Sequence, residues 1–148
     1  AKTLFPYTTL FRSWMDRHSV AVRLARTLNH PRLGIVFTGF HWYAQEGGNP
    51  LPVLRDVLPY LRQVHLSGSR RSPLGFGQVA TIEPLDSGEC DNLALIGLLK
   101  RLGYTGPIGY LGWEEGGNPY NKLKRSYDAL VEMISLAQQN PSWCSHLG

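Results

Sequence analysis

One pentapeptide occurs twice in this chain, as Glu46-Gly47-Gly48-Asn49-Pro50 and again as Glu115-Gly116-Gly117-Asn118-Pro119. The Asn-Pro pair marks a helix start: asparagine accepts from first-turn N–H groups, and proline fills a first-turn position where its missing donor costs nothing. A short apolar run precedes each copy and a helical pattern follows it. The repeat therefore marks two strand-to-helix junctions built alike, both at the same end of their strands.

Hydrophobic spacing extends this pattern along the chain. Apolar residues at helical intervals predict helices over residues 18–28, 50–62, 91–102 and 120–138, with Asp16 offered as the first N-cap. Short apolar runs predict strands at residues 33–37, 64–66 and 107–111. Between them lie a polar and aromatic loop at 38–49, a long Gly/Ser/Arg loop at 67–87 and, after Asn140-Pro141, a frayed tail. A helix followed by three strand–helix units, with apolar rather than alternating strands, predicts an α/β fold with a parallel sheet and crossover helices. In barrels of this kind, the loops after the strands build the functional face. Three strands cannot close a barrel, which needs roughly 250 residues. The expected fold is therefore a partial (β/α)8 TIM barrel, about its last three to four βα units.

Residues 1–13, AKTLFPYTTLFRS, stand apart. They lack a basic start followed by a small-residue cleavage site, so they do not form a signal peptide. An edge strand is one reading of them. Residues 3–13 also resemble the conceptual translation of a short-read sequencing adapter, and on that ground 1–13 are set aside as non-native. Residues 14–148 are then expected to be the C-terminal half of a barrel.

Charge bears on partners. The formal net charge is +4, but Lys2 and Arg12 fall in the set-aside leader, leaving 13 bases against 11 acids. That is a solvated surface rather than a footprint for nucleic acid. No run of 18 apolar residues occurs, so no membrane-spanning helix is expected. Cys90 and Cys144 are isolated, which excludes a disulfide framework and makes a reducing, cytoplasmic compartment the default.

Three segments carry a family resemblance: Asn29-His30-Pro31-Arg32-Leu33-Gly34-Ile35, Gln63-Val64-His65-Leu66, and Leu85-Asp86-Ser87-Gly88-Glu89-Cys90-Asp91 followed by Leu98 to Pro107 with its Gly103-Tyr104-Thr105-Gly106 turn. In order and spacing they resemble the C-terminal half of the xylose-isomerase-like sugar phosphate isomerase/epimerase superfamily. The resemblance implies an isomerase or epimerase of carbohydrate metabolism acting on a sugar or polyol. It also implies a divalent metal (Mn, Mg, Zn or Co) held by two glutamates, an aspartate and a histidine. Such a metal polarises carbonyl and hydroxyl while a carboxylate moves the proton.

Carried over residue by residue, the resemblance gives a mixed site. His65 falls on the metal-binding histidine. His41 falls on the histidine of the family's Asp-x-x-His motif, but the aspartate position holds Thr38. The strand-end glutamate position holds Leu111, with Glu114 and Glu115 just beyond as replacement carboxylates or helix-capping acids. His41, Trp42, Trp113 and Glu114 are the candidate substrate contacts, since aromatic faces suit the apolar side of a sugar ring. Loop packing is the plainer role for both tryptophans. Arg70 and Arg71 are offered as anion holders or as a solvated face, and His18, His30 and His146 as surface or helix-end residues.

Two alternatives follow. Thr38 and Leu111 favour a non-catalytic carbohydrate-binding relative, which would bind sugar without metal. The DNA-endonuclease branch of the superfamily would need more His and carboxylate ligands and a basic groove. A half barrel alone would also expose strand edges and apolar helix faces, so this half is expected to be inactive and aggregation-prone by itself.

Overall fold

A computed structural model describes residues 17–113 and 116–147. The leader, Asp16, Glu114 and Glu115 lie outside the described residues.

Helix α1, His18–Leu28, ends where Asn29 adopts a left-handed conformation and its N–H bonds to the Ala25 carbonyl at 3.0 Å. Strand β1, Ile35–Thr38, follows and runs directly into α2, Gly39–Gln45. Helix α3, Pro50–Val57, tightens into a 3-10 turn, Leu58–Tyr60, before β2, Leu61–Leu66. Strand β3, Arg71–Phe76, lies in the segment before α4, Asn92–Arg101. Strand β4, Ile108–Tyr110, leads to the long helix α5, Pro119–Gln139, and a closing 3-10 segment, Pro141–Leu147.

The sheet is parallel in the order β1-β2-β4, so each strand delivers its following loop to the same edge. Asn49 accepts from Leu51 N at 2.9 Å, and Asn118 accepts from Tyr120 N at 3.0 Å and Asn121 N at 3.4 Å. The two copies of the repeat thus cap α3 and α5 as their sequence requires. Gly47 and Gly48 both take positive φ, the backbone region where a side chain is strained.

The main core lies between one sheet face and the helices. Ile35, Phe37, Val64 and Leu66 meet Val53, Leu54, Val57, Leu95, Leu98 and Leu99 there, all of them buried. Burying one such side chain contributes about 1.5–3 kcal/mol. The alternate residues Val36, Thr38, Gln63, His65 and Gly109 take the opposite sheet face, and Val36 is 48% exposed.

Four segments depart from the sequence reading. Residues 39–45, expected as loop, form α2, whose Phe40, Trp42 and Ala44 are all buried. Buried residues on more than one side leave no amphipathic stripe to read. The helix predicted over 50–62 stops early because Pro59 has no N–H to continue the ladder. The long loop contains an antiparallel hairpin, with Gly68 and Glu83 exchanging both backbone bonds at 3.0 and 2.8 Å and Ser72 N donating to Val79 O at 3.0 Å. The tail after Asn140 is packed, not frayed: Cys144 is buried in a notch that Gly97 leaves by having no Cβ.

Candidate functional site

The parallel register sets the geometry of the edge where the strands end. Thr38, His65 and Gly109 sit side by side on β1, β2 and β4, on the sheet face turned away from the helical core. A Cβ at position 109 would lie 2.9 Å from His65 Cδ2, so the glycine is what gives the imidazole its place. Nothing in the periodicity of β4 singles out Gly109; only the cross-strand register does.

Beyond this row, the post-strand segments build a second apolar cluster. Phe40 and Ala44 of α2 and Ala80 of the hairpin are its buried members, with Tyr43, Phe76, Val79, Ile82 and Leu111 packed against them. An aromatic chain crosses it. Phe40 meets His41 at 5.6 Å and the edge of Phe76 at 6.0 Å, and Phe76 meets the edge of Trp113 at 6.4 Å. Edge-to-face pairs at these separations are favourable. Trp113 remains 59% exposed at the end of this chain of rings.

Polar anchors hold the hairpin down. Arg70 donates from Nε to Glu83 Oε1 at 2.7 Å and from Nη2 to Glu83 Oε2 at 3.2 Å, while Thr81 Oγ1 donates to Oε1 at 2.6 Å. The Arg70 bond, reinforced by Thr81, holds the Glu83 carboxyl below its usual range. Arg71 donates to the carbonyls of Tyr43 at 2.8 Å and Ala44 at 3.3 Å and covers the Tyr43 ring at 5.3 Å. Tyr43 in turn donates to Glu89 Oε2 at 3.0 Å. Burial, with the Glu89 carboxylate second, pushes the Tyr43 phenol up. Both arginines offered as anion holders are therefore engaged in fastening the hairpin to α2 and to itself.

The candidate substrate contacts separate. His41 and Trp113 belong to the aromatic chain at the strand ends. Solvent reaches His41, yet the protein packed around it lowers its pKa. Trp42 is buried in the main core, where its ring packs. Glu114 lies outside the described residues. His18 is part-buried between Glu46 at 2.7 Å and Asp56 at 3.7 Å, and His146 bonds to Asp91 at 2.9 Å. Sequence reasoning missed Phe40, Phe76 and Gly109. The first two fall in segments read as loops.

Among the described residues, which leave out Glu114 and Glu115, the donor set at the strand ends does not fit the implied metal. His65 has a hydroxyl residue on one side and glycine on the other, and Leu111 packs into the apolar cluster. Among the described residues, no three His, Cys, Asp or Glu side chains gather as a cation site. A threonine hydroxyl is a poor substitute for a carboxylate, and leucine offers no donor.

Comparison with known proteins reports on the same architecture. No protein of curated function matches the chain by sequence. Among solved structures, a xylose isomerase domain protein from Planctomyces limnophilus superposes with a TM-score of 0.62 at 22% identity, over 85% of this chain and 43% of that one. An L-ribulose 3-epimerase gives 0.64 at 14% identity, over 86% and 45%. The 3-keto-D-glucoside 4-epimerase of E. coli gives 0.59 at 20%, over 78% and 40%. The chain thus spans less than half the length of each. The family model described as xylose isomerase-like TIM barrel matches residues 7–135, beginning inside the leader. That match takes in most of the sequence, and the parallel order β1-β2-β4 is part of such a barrel: the chain belongs to the xylose isomerase-like TIM barrel family.

Proposed function

We propose that this chain is the C-terminal half of a barrel that recognises a sugar or polyol at the carboxyl ends of its strands. The observation that carries the reading is Trp113, exposed at the strand ends and braced edge-on by Phe76. An indole presented in this way suits the hydrocarbon face of a sugar ring, whose C–H groups lose little on leaving water. His41, favoured in its neutral form, supplies a hydrogen-bond partner for a hydroxyl, and His65 a second one from the sheet row. Glu114, one residue past Trp113, is the remaining candidate contact. Trp42 takes no part, because its ring is committed to the core. The names of two structural neighbours, an L-ribulose 3-epimerase and a 3-keto-D-glucoside 4-epimerase, support a carbohydrate ligand. Three strands of eight, and coverage of less than half of each neighbour, support the half-barrel reading.

A non-catalytic, carbohydrate-binding role is the second reading. The apolar packing of Leu111, where the resemblance puts a glutamate, favours it. Titration of the chain with ketoses, aldoses and polyols, followed by tryptophan fluorescence, tests recognition itself. We expect saturable quenching at millimolar sugar, about −4 kcal/mol, and its loss in Trp113→Ala. No saturable response to any of them defeats the reading.

A further inference from the structure

Leu111 stands where the resemblance puts a glutamate, and its environment is apolar. Its neighbours in the cluster come from two other segments: Phe40 and Ala44 from α2, and Phe76, Val79, Ala80 and Ile82 from the hairpin. The hairpin that supplies most of it is fastened on both arms, by Arg70 to Glu83 and by Arg71 to the α2 carbonyls. Gly68 and Gly88 let the backbone close tightly at the hairpin base, since a Cβ at either would collide with carbonyl groups opposite. The apolar cluster beneath Leu111 is therefore held in place by polar anchors around it.

A carboxylate at position 111, half-buried against the cluster of Phe40 and Ala80, would lose part of its hydration unless a cation compensated it. At position 38, the β1 member of the row holds a neutral hydroxyl beside His65. Neither position supplies the negative charge that a divalent ion requires, whereas both are compatible with a neutral ligand.

We infer that this strand-end site binds its ligand without a divalent metal, the place of the metal-holding carboxylates being taken by an apolar floor of the half-buried Leu111 and Phe76, backed by the buried Phe40, that receives the ligand's hydrocarbon face. The inference rests on the carbohydrate reading above for the identity of the ligand, but its statement about metal stands separately. Among the described residues, sugar is oriented here by ring faces and by the two imidazoles, and no charge is stabilised by a cation.

The test uses the 148-residue chain freed of metal by dialysis and titrated with Zn2+ and Mn2+ against a chromophoric chelator. The expected result is identical metal uptake by the wild-type chain and His65→Ala. Thr38→Asp, a change at a half-buried strand end, returns one charged donor to the row and is expected to tighten Zn2+ at least about tenfold in a manner that His65→Ala removes. Thr38→Asp with Leu111→Glu should tighten it further, and the single Thr38→Asp variant decides if the double variant does not fold. A wild-type metal site that disappears in His65→Ala overturns the inference wherever its other ligands come from, as does failure of folded Thr38→Asp to gain affinity. Sugar affinity unchanged by EDTA supports the inference, and affinity abolished by EDTA overturns it. Absence of sugar binding with no His65-dependent metal site defeats the carbohydrate reading alone.

Discussion

Gly109 lies beside His65 in the β2–β4 register, and a side chain there would put its Cβ 2.9 Å from the imidazole Cδ2 and 3.3 Å from Nε2. The position of the histidine is thus set by what its neighbour lacks. Gly109→Ala should displace the ring by a few tenths of an ångström, roughly the shortfall from ordinary packing distance. The expected outcome is a shifted His65 Cε1–H resonance and about a tenfold weaker sugar affinity, near 1.4 kcal/mol. An unmoved resonance would show that the imidazole is placed by something else.

Asn92 ties the end of β2 to the loop that returns from the hairpin. Its Nδ2 donates to Ser67 O at 2.9 Å and to Leu85 O at 3.0 Å, and the residue is 2% exposed. Asn92→Leu keeps the number and branching of the side-chain heavy atoms but strands two buried carbonyls. A loss of about 2–6 kcal/mol is expected, at 1–3 kcal/mol for each unsatisfied group. Urea unfolding of the two proteins measures it, and a loss below about 0.5 kcal/mol would contradict the assigned role.

His41 gives a pH dependence whose sign is fixed by its cause. Burial lowers its folded pKa below the ordinary 6.5, so the unfolded chain binds the proton more readily. Its contribution to stability is therefore constant above pH 6.5, declines as pH falls below that value, and levels off below the folded pKa. Proton NMR of the His41 ring should give a midpoint below 6.5. A midpoint at or above it would mean that solvent, not packing, governs this side chain.

Cys144 and Gly97 form a second pair in which glycine makes room. A Cβ at 97 would collide with Cys144 Cβ and Sγ, and the thiol donates to Leu93 O at 3.4 Å. Burial, with the Asp91 charge second, pushes the Cys144 thiol up, so wild-type labelling by a disulfide reagent should be slow. Gly97→Ala should unseat the 3-10 segment Pro141–Leu147, speed labelling at least tenfold and cost about 1–3 kcal/mol. Labelling as slow as wild type would show that the segment accommodates the methyl group in place.

One face of α5 remains uncovered: Tyr120, Leu123, Tyr127 and Val131 are between 51% and 72% exposed. Beside it, an apolar cleft of about 210 Å3 opens between α5 and β4, lined by Leu66, Leu85, Ile108 and Leu130 among others. Bare apolar surface of this kind predicts enhanced fluorescence of a hydrophobic dye on binding the chain. Tyr127→Lys should reduce that enhancement with little loss of stability, and undiminished dye binding would place the exposed surface elsewhere.

Local signals in the sequence determined the parts of this protein that depend on local physics. Asn49-Pro50 and Asn118-Pro119 start helices because a side-chain acceptor and a fixed φ act within a few residues, and both do so in the structure. The apolar runs around Ile35, Val64 and Ile108 become parallel strands, and His65 falls on the face away from the helices, because strand periodicity alternates sides. Tertiary structure decided the rest. Only cross-strand register pairs His65 with Gly109, only helix packing draws Trp42 into the core while its neighbour His41 stays at the strand ends, and only the folded hairpin brings Phe76 between Phe40 and Trp113. These relationships join residues far apart in the chain through contacts of a few ångströms, and no periodicity along the sequence encodes which distant groups will share that space.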